Sequence, residues 1–160
     1  MKALLSLSFL FLGWTTSAGA SEIQPDRNVA EYNLGTAALG LKGFDPVSYF
    51  AEGGNQPLQG SPELSASHDG VQYFFATEEN RELFVANPLK YEPTYGGWCA
   101  WAMANGSRVD IDPTIYTING NRLHFFIAQR AKRNFDRNIP HYEKLADDTW
   151  FQFSGEGPRF

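Results

Sequence analysis

The sequence contains almost no cysteine and fewer basic than acidic residues. It has one cysteine, Cys99, in 160 residues. A single thiol excludes an internal disulfide framework and a zinc site built from several thiolates. Charged residues make up only 19%, and the formal net charge is -5, so we expect no nucleic-acid partner. The 42% of hydrophobic and 15% of aromatic residues instead predict one compact domain with an aromatic-rich core.

The N-terminus has the pattern of a signal peptide. Lys2 is followed by an apolar stretch from Ala3 to Trp14, and Ala18-Gly19-Ala20 provides the small residues typical of a cleavage site before Ser21. An apolar stretch of about twelve residues is too short to cross a hydrocarbon layer of ~30 Å. We therefore predict that residues 1–20 are a signal peptide. The mature protein is expected to be periplasmic or secreted, without stable membrane insertion.

Two short dipeptides predict β-hairpins. Asp69-Gly70 separates residues 63–68 from 71–75, and Asn119-Gly120 separates residues 115–118 from 122–126. Both dipeptides tolerate the positive φ angles of tight hairpin turns. We therefore place one turn at each dipeptide.

The remaining segments have helical patterns. Thr77 is expected to cap a helix from Glu78 to about Ala86, with Leu83 and Phe84 facing inward. Asp45-Pro46 predicts a single helical turn that buries Val47, Tyr49 and Phe50. Further helices are predicted at residues 98–104, at 128–139 up to a break at Pro140, and in a last short helix from residue 141 to 145. The sequence thus predicts an α+β fold with a small antiparallel sheet of two hairpins packed with several short helices.

Several motifs, in order along the chain, resemble the YHS-domain family. They include residues 43–50 (GFDPVSYF), 73–80 (YFFATEEN) and 93–100 (PTYGGWCA), followed by Asp112-Pro113, Ile139-Pro140 and Trp150. The resemblance is to the exported single-domain branch of that family. It implies a YHS/treble-clef-like scaffold at residues 41–152, preceded by an N-terminal arm at 21–40 and followed by a C-terminal tail at 153–160.

The resemblance also indicates where relatives that accompany metal-transport proteins carry metal-binding cysteines. Those thiolates would fall near Ser48, Ala76 and Asn80 of this sequence. A hydroxyl, a methyl and an amide do not replace three soft thiolates. We therefore expect that the scaffold is kept and that this thiolate site is absent.

Cys99 and Met103 are the sequence's own candidate metal ligands. They lie four residues apart on a predicted helix, so their side chains share a face, and a thiolate with a thioether suits Cu(I). His124 is the candidate third ligand, and Asp45, Tyr49 and Tyr95 could contribute polar groups to a cofactor pocket beside Cys99. The alternative is that Cys99 and Met103 pack in the aromatic core. If Leu123 and Phe125 face inward, His124 is instead a cross-strand polar residue that faces solvent or the other side of the sheet.

Three functions are compatible with these patterns. The first is an exported, non-enzymatic binding module of the YHS class that takes a metal ion, such as copper, or a small ligand at Cys99. The second is a thiol-dependent enzyme or redox accessory, since the predicted helix N-terminus favours a thiolate at Cys99. The third is a protein-interaction module with a buried, inert Cys99. The chain also has a basic helix face (Arg130, Lys132, Arg133, Arg137) and an acidic one (Glu78, Glu79, Glu82). The simplest interpretation is that both are solvated, and the alternative is a docking surface for an acidic partner.

Overall fold

The computed structural model describes residues 27–159, and the predicted signal peptide lies outside them. Within this range the chain forms two β-hairpins and five α-helices. The strands are β1 (Ser61–His68), β2 (Val71–Phe75), β3 (Asp112–Asn119) and β4 (Arg122–Phe126). The helices are α1 (Glu78–Ala86), α2 (Pro88–Tyr91), α3 (Ala100–Ala104), α4 (Gln129–Asp136) and α5 (Ile139–Ser154). The predicted α+β class is confirmed, and each hairpin forms its own two-stranded antiparallel sheet.

Both hairpins form where the sequence predicts them. His68 pairs with Val71 across the turn, and Asp69 and Gly70 have φ angles of 44° and 86°, as a type I′ turn requires. In the second hairpin Asn119 is still a strand residue that pairs with Arg122. Its turn is therefore Gly120-Asn121, one residue later than predicted.

Helix α1 begins and ends as expected, but one side chain points differently. The Thr77 hydroxyl accepts a hydrogen bond from the backbone N–H of Asn80 at 3.1 Å, and Phe84 is buried. The prediction that Leu83 faces inward is wrong, because this side chain is 36% exposed. Asn80 and Phe84, four residues apart, define the buried face of α1, and Leu83 lies about 100° away from Phe84 around the helix.

The C-terminal helices differ more from the prediction. Helix α4 ends at Asp136, and α5 runs for 16 residues with Pro140 in its first turn. Proline is well tolerated there because the first N–H groups of a helix have no intrahelical acceptor. Asn138 caps α5 by accepting a hydrogen bond from the backbone N–H of His141 at 3.4 Å. Pro140 therefore helps to start a long helix, and the last helix extends well beyond residue 145.

Asp45-Pro46 forms a turn and not the predicted helical turn. The Asp45 side chain accepts a hydrogen bond from the backbone N–H of Val47 at 2.8 Å, which closes an Asx turn. The predicted burial of Val47, Tyr49 and Phe50 is confirmed, because the turn presses these three side chains into the core.

The core is rich in aromatic rings, as the composition predicts. Phe84 of α1 packs against Tyr73 and Phe75 of β2, with ring centroids at 4.9 and 5.2 Å. Tyr49 makes an edge contact with Phe125 of β4 at 5.0 Å. Trp150 anchors the long helix α5, which packs against α3. No helix within residues 27–159 has the length and apolarity needed to cross a bilayer.

The two ends of the described chain meet in a buried polar network that we call the terminal cluster, formed by Arg27, Tyr32, Glu92, Glu156 and Arg159. Arg27 forms a salt bridge with Glu92, and the Tyr32 hydroxyl donates to Glu156 at 2.6 Å. Arg159 donates to the Tyr32 hydroxyl at 3.0 Å. Both the predicted N-terminal arm and the predicted C-terminal tail are thus tied into the domain.

Candidate functional site

Cys99 lies at the start of α3 and is fully buried. Its backbone N–H donates to the carbonyl of Val109 at 3.0 Å, and its backbone bridges to Phe125 of β4. Met103 is also fully buried, and its N–H donates to the Cys99 carbonyl at 2.9 Å. Cys99 is thus the N-cap residue of α3, with extended backbone angles, and Met103 follows four residues later in the helix. Both sulfur-containing side chains lie inside the core.

His124 is also in the core, which differs from the solvent-facing or cross-strand position expected from its place in β4. It is 1% exposed, because residues 123–126 are all buried. Its ring stacks on Tyr95, with centroids at 5.5 Å, and contacts Phe135 at 5.2 Å. Strand alternation fails as a guide here because both faces of β4 are covered.

The His124 ring has one engaged and one free nitrogen. Nε2 lies 2.7 Å from Oε1 of Glu143 in α5. A carboxylate can only accept a hydrogen bond, so the proton sits on Nε2 in the neutral ring. Nδ1 is buried and has no hydrogen-bond partner among residues 27–159.

Polar residues around this pair form what we call the His124 cluster: Tyr95, Asn119, Arg122, His124, Glu143 and Asp147. The Asn119 amide donates to both Glu143 oxygens at 3.0 and 3.2 Å. Arg122 forms a salt bridge with Asp147 and donates to the Tyr95 hydroxyl at 3.0 Å. That hydroxyl donates to Asp147 at 2.9 Å. The cluster joins the second hairpin to α5.

The surroundings of His124, Glu143 and Tyr95 shift the pKa of each of these three groups. Burial lowers the pKa of His124 despite the opposing hydrogen bond to Glu143. A charged ring would in addition carry an Nδ1 proton that has no acceptor among residues 27–159. Burial alone would raise the pKa of Glu143, but hydrogen bonds from His124 and Asn119 and the charge of Arg122 bring it below its usual range. Burial raises the pKa of Tyr95. The pair is thus a neutral imidazole donating to a carboxylate, an arrangement that stabilises the α5 contact.

Asp45 is a second buried polar centre, fully removed from solvent. Oδ2 accepts hydrogen bonds from the Ala76 N–H at 2.9 Å and the Asn80 amide at 2.6 Å. Oδ1 accepts from the N–H groups of Val47 and, at 3.3 Å, Ser48. The three positions to which the YHS resemblance assigns thiolates, 48, 76 and 80, therefore meet at this carboxylate.

The other two candidate pocket residues have separate partners. The Tyr49 hydroxyl donates to the Pro113 carbonyl at 3.0 Å, and the Tyr95 hydroxyl belongs to the His124 cluster. The polar groups of Asp45, Tyr49 and Tyr95 thus engage three different parts of the protein, and no shared interaction among them is found in the described residues.

The proposed copper ligands do not form an open donor set. The thiol of Cys99 and the thioether of Met103 are both inside the core, and Nε2 of His124 is used by Glu143. Among residues 27–159, no group of three or more His, Cys, Asp or Glu side chains is placed to hold a metal ion. Copper binding at these residues would therefore have to use His124 Nδ1, because Nε2 is engaged by Glu143.

Sequence reasoning missed Glu143, Asp147, Arg122 and Asn119 as partners of His124. The signal was present in α5, where Glu143, Ala146, Asp147 and Trp150 have the i, i+3, i+4, i+7 spacing of an inward face. Because the last helix was predicted to end near residue 145, the sequence did not show that Glu143 and Asp147 lie on this face.

No protein-family model, curated protein or solved structure matches this chain.

Proposed function

We propose that this protein is an exported, non-enzymatic binding module of the YHS class that works through its surface, with Cys99 as a core residue. One observation carries the proposal: the reactive side chains singled out in the sequence are used inside the fold. Cys99 and Met103 have no exposed surface, Asp45 accepts four hydrogen bonds, and His124 is bonded to Glu143. A nucleophile or general base must reach its substrate, and these groups face the core.

The YHS assignment is supported by the surroundings of Asp45. Ser48, Ala76 and Asn80 are up to 32 positions apart in sequence, yet their polar groups or their backbone N–H groups all contact one carboxylate. Metal ligands at these three positions, as the YHS resemblance implies for relatives, would require such convergence. In this chain the carboxylate of Asp45 links the same segments by hydrogen bonds.

Thiol accessibility tests the choice between a core cysteine and a reactive one. We expect the native mature protein to resist a thiol-reactive probe at pH 7 and to be labelled fully in denaturant. A Cys99→Ser, Ser107→Cys variant is the matched control, because Ser107 is exposed and the single thiol then lies at the surface. Native labelling of the parent protein as fast as that of the control would instead support the thiol-dependent enzyme or redox accessory.

Soft-metal binding through Cys99, Met103 and His124 is the second candidate. It is favoured by Nδ1 of His124, which has no hydrogen-bond partner in the part of the chain that the structure describes. An imidazole nitrogen with a free lone pair, a thiolate and a thioether are suitable Cu(I) ligands. Titration of the mature protein with Cu(I) against a competing chelator tests this. The candidate requires that Cys99→Ser, Met103→Leu and His124→Gln each weaken binding, and an unchanged affinity in Cys99→Ser removes it.

A further inference from the structure

The basic side chains of this acidic protein are almost all paired. Within residues 27–159, every Lys and Arg outside one segment forms a salt bridge with a carboxylate. The exceptions in this part of the chain are Arg130, Arg133 and Arg137. The net charge is -5, so the chain has more carboxylates than cations. A shortage of carboxylates therefore does not explain why three neighbouring arginines form no salt bridge within residues 27–159.

These three arginines form one exposed stripe. Arg130 and Arg133 lie on α4 and Arg137 is its C-terminal cap. Spacings of three and four residues place side chains on the same side of a helix. All three are exposed, whereas Ala131 and Phe135 form the buried face of the helix. We call Arg130, Arg133 and Arg137 the arginine stripe.

The complementary charges are present on another helix of the same chain. Glu79 and Glu82 of α1 are exposed and form no salt bridge with any residue from 27 to 159. We call them the acidic pair. Their spacing of three residues equals that of Arg130 and Arg133, so two ion pairs can form together across facing helices. Because α1 packs on the first hairpin and α4 on the second, the two surfaces belong to different parts of the molecule.

We propose that the arginine stripe of one molecule docks on the acidic pair of a second copy of this chain. Val85, 58% exposed, lies one helical turn beyond Glu82, and Ile127, 45% exposed, precedes α4. Each charged surface thus has an apolar residue beside it. The contact joins two different surfaces, so it is heterologous. This inference goes beyond the proposed function and holds whatever ligand the module binds.

Analytical ultracentrifugation of the mature protein over a concentration series tests the contact. Association is expected in about 20 mM NaCl and should weaken at least about tenfold in about 0.5 M NaCl, where the Debye length falls from roughly 20 Å to roughly 4 Å. Arg130→Glu with Arg133→Glu should abolish it, as should Glu79→Lys with Glu82→Lys. Lys144→Glu is the control, because Lys144 is exposed and lies outside both surfaces.

Mixing the two double variants is the decisive measurement. Each carries like charges on both surfaces and should be monomeric alone, whereas the mixture restores opposite charges and should associate. Circular dichroism would verify that all variants are folded. A parent protein that stays monomeric at low salt, or a mixture that does not associate, overturns the proposal. So does association lost only in the arginine variant, since the stripe would then dock on a different acidic surface of the second copy.

Discussion

Replacing Asp45 with alanine removes a fully buried carboxylate that accepts four hydrogen bonds. The N–H of Ser48 keeps a second acceptor in the Asp45 backbone carbonyl at 3.2 Å. The N–H groups of Val47 and Ala76 and the amide of Asn80 lose the partners described above. The substitution therefore leaves three donors unsatisfied in or near the core.

The magnitude follows from these three donors. An unsatisfied buried donor costs about 1–3 kcal/mol, and removing the carboxylate recovers part of the cost of burying it. We expect Asp45→Ala to lower the free energy of unfolding by about 3–5 kcal/mol, a large share of the roughly 5–15 kcal/mol that stabilises a typical domain. Asp45→Asn should cost less, because one carbonyl acceptor remains.

Urea denaturation followed by tryptophan fluorescence and circular dichroism measures the effect. Asp112→Ala is the matched control, because Asp112 also precedes a proline. Its side chain accepts a hydrogen bond from the backbone N–H of Thr114, two residues later, at 2.9 Å. Asp112 makes its side-chain contacts at the surface, so its loss should cost only about 1 kcal/mol. Equal destabilisation by the two alanine variants would refute the importance of the buried network.

Three further predictions concern stability. Because the pKa of His124 is lowered in the folded protein, the unfolded chain binds a proton at a higher pH than the folded one. The free energy of unfolding should therefore fall as the pH drops below 6.5. The urea midpoint of His124→Gln should depend less on pH between about 7 and 5 than that of the parent protein. Cys99→Ser should lower the free energy of unfolding by about 1–3 kcal/mol because it buries a hydroxyl, and an unchanged urea midpoint would contradict this. Gly96→Ala should cost about 1–3 kcal/mol more than Gly106→Ala in the same assay. Both glycines have positive φ, but only at Gly96 would a Cβ lie 2.8 Å from Trp150.

Local signals in the sequence predicted much of the fold. Asp69-Gly70 specified its turn because few residues adopt two consecutive positive φ angles. Thr77 specified the start of α1 because its hydroxyl satisfies a free N–H. In contrast, Pro140 is compatible with either a break or a first helical turn, and only the cap at Asn138 and the packing of α5 decide between them.

The candidate site was harder to predict because it depends on contacts between distant segments. The spacing of Cys99 and Met103 predicted a shared helix face, but Cys99 is the extended N-cap residue of α3, and the spacing did not show whether either side chain meets solvent. Alternation along β4 would place His124 opposite Phe125, yet α5 covers the side that would otherwise be open. The partner, Glu143, lies 19 residues away, and its role becomes visible only when the full length of α5 is known.

The terminal cluster has a consequence for how this domain can be rebuilt. Arg27 and Arg159 both reach Glu92, so the chain enters and leaves the fold at neighbouring points. Joining those points with a brief flexible connector and opening the backbone at Gly120-Asn121 would give a circular permutant. The same proximity suits the domain to insertion as a guest within a surface loop of an unrelated host protein.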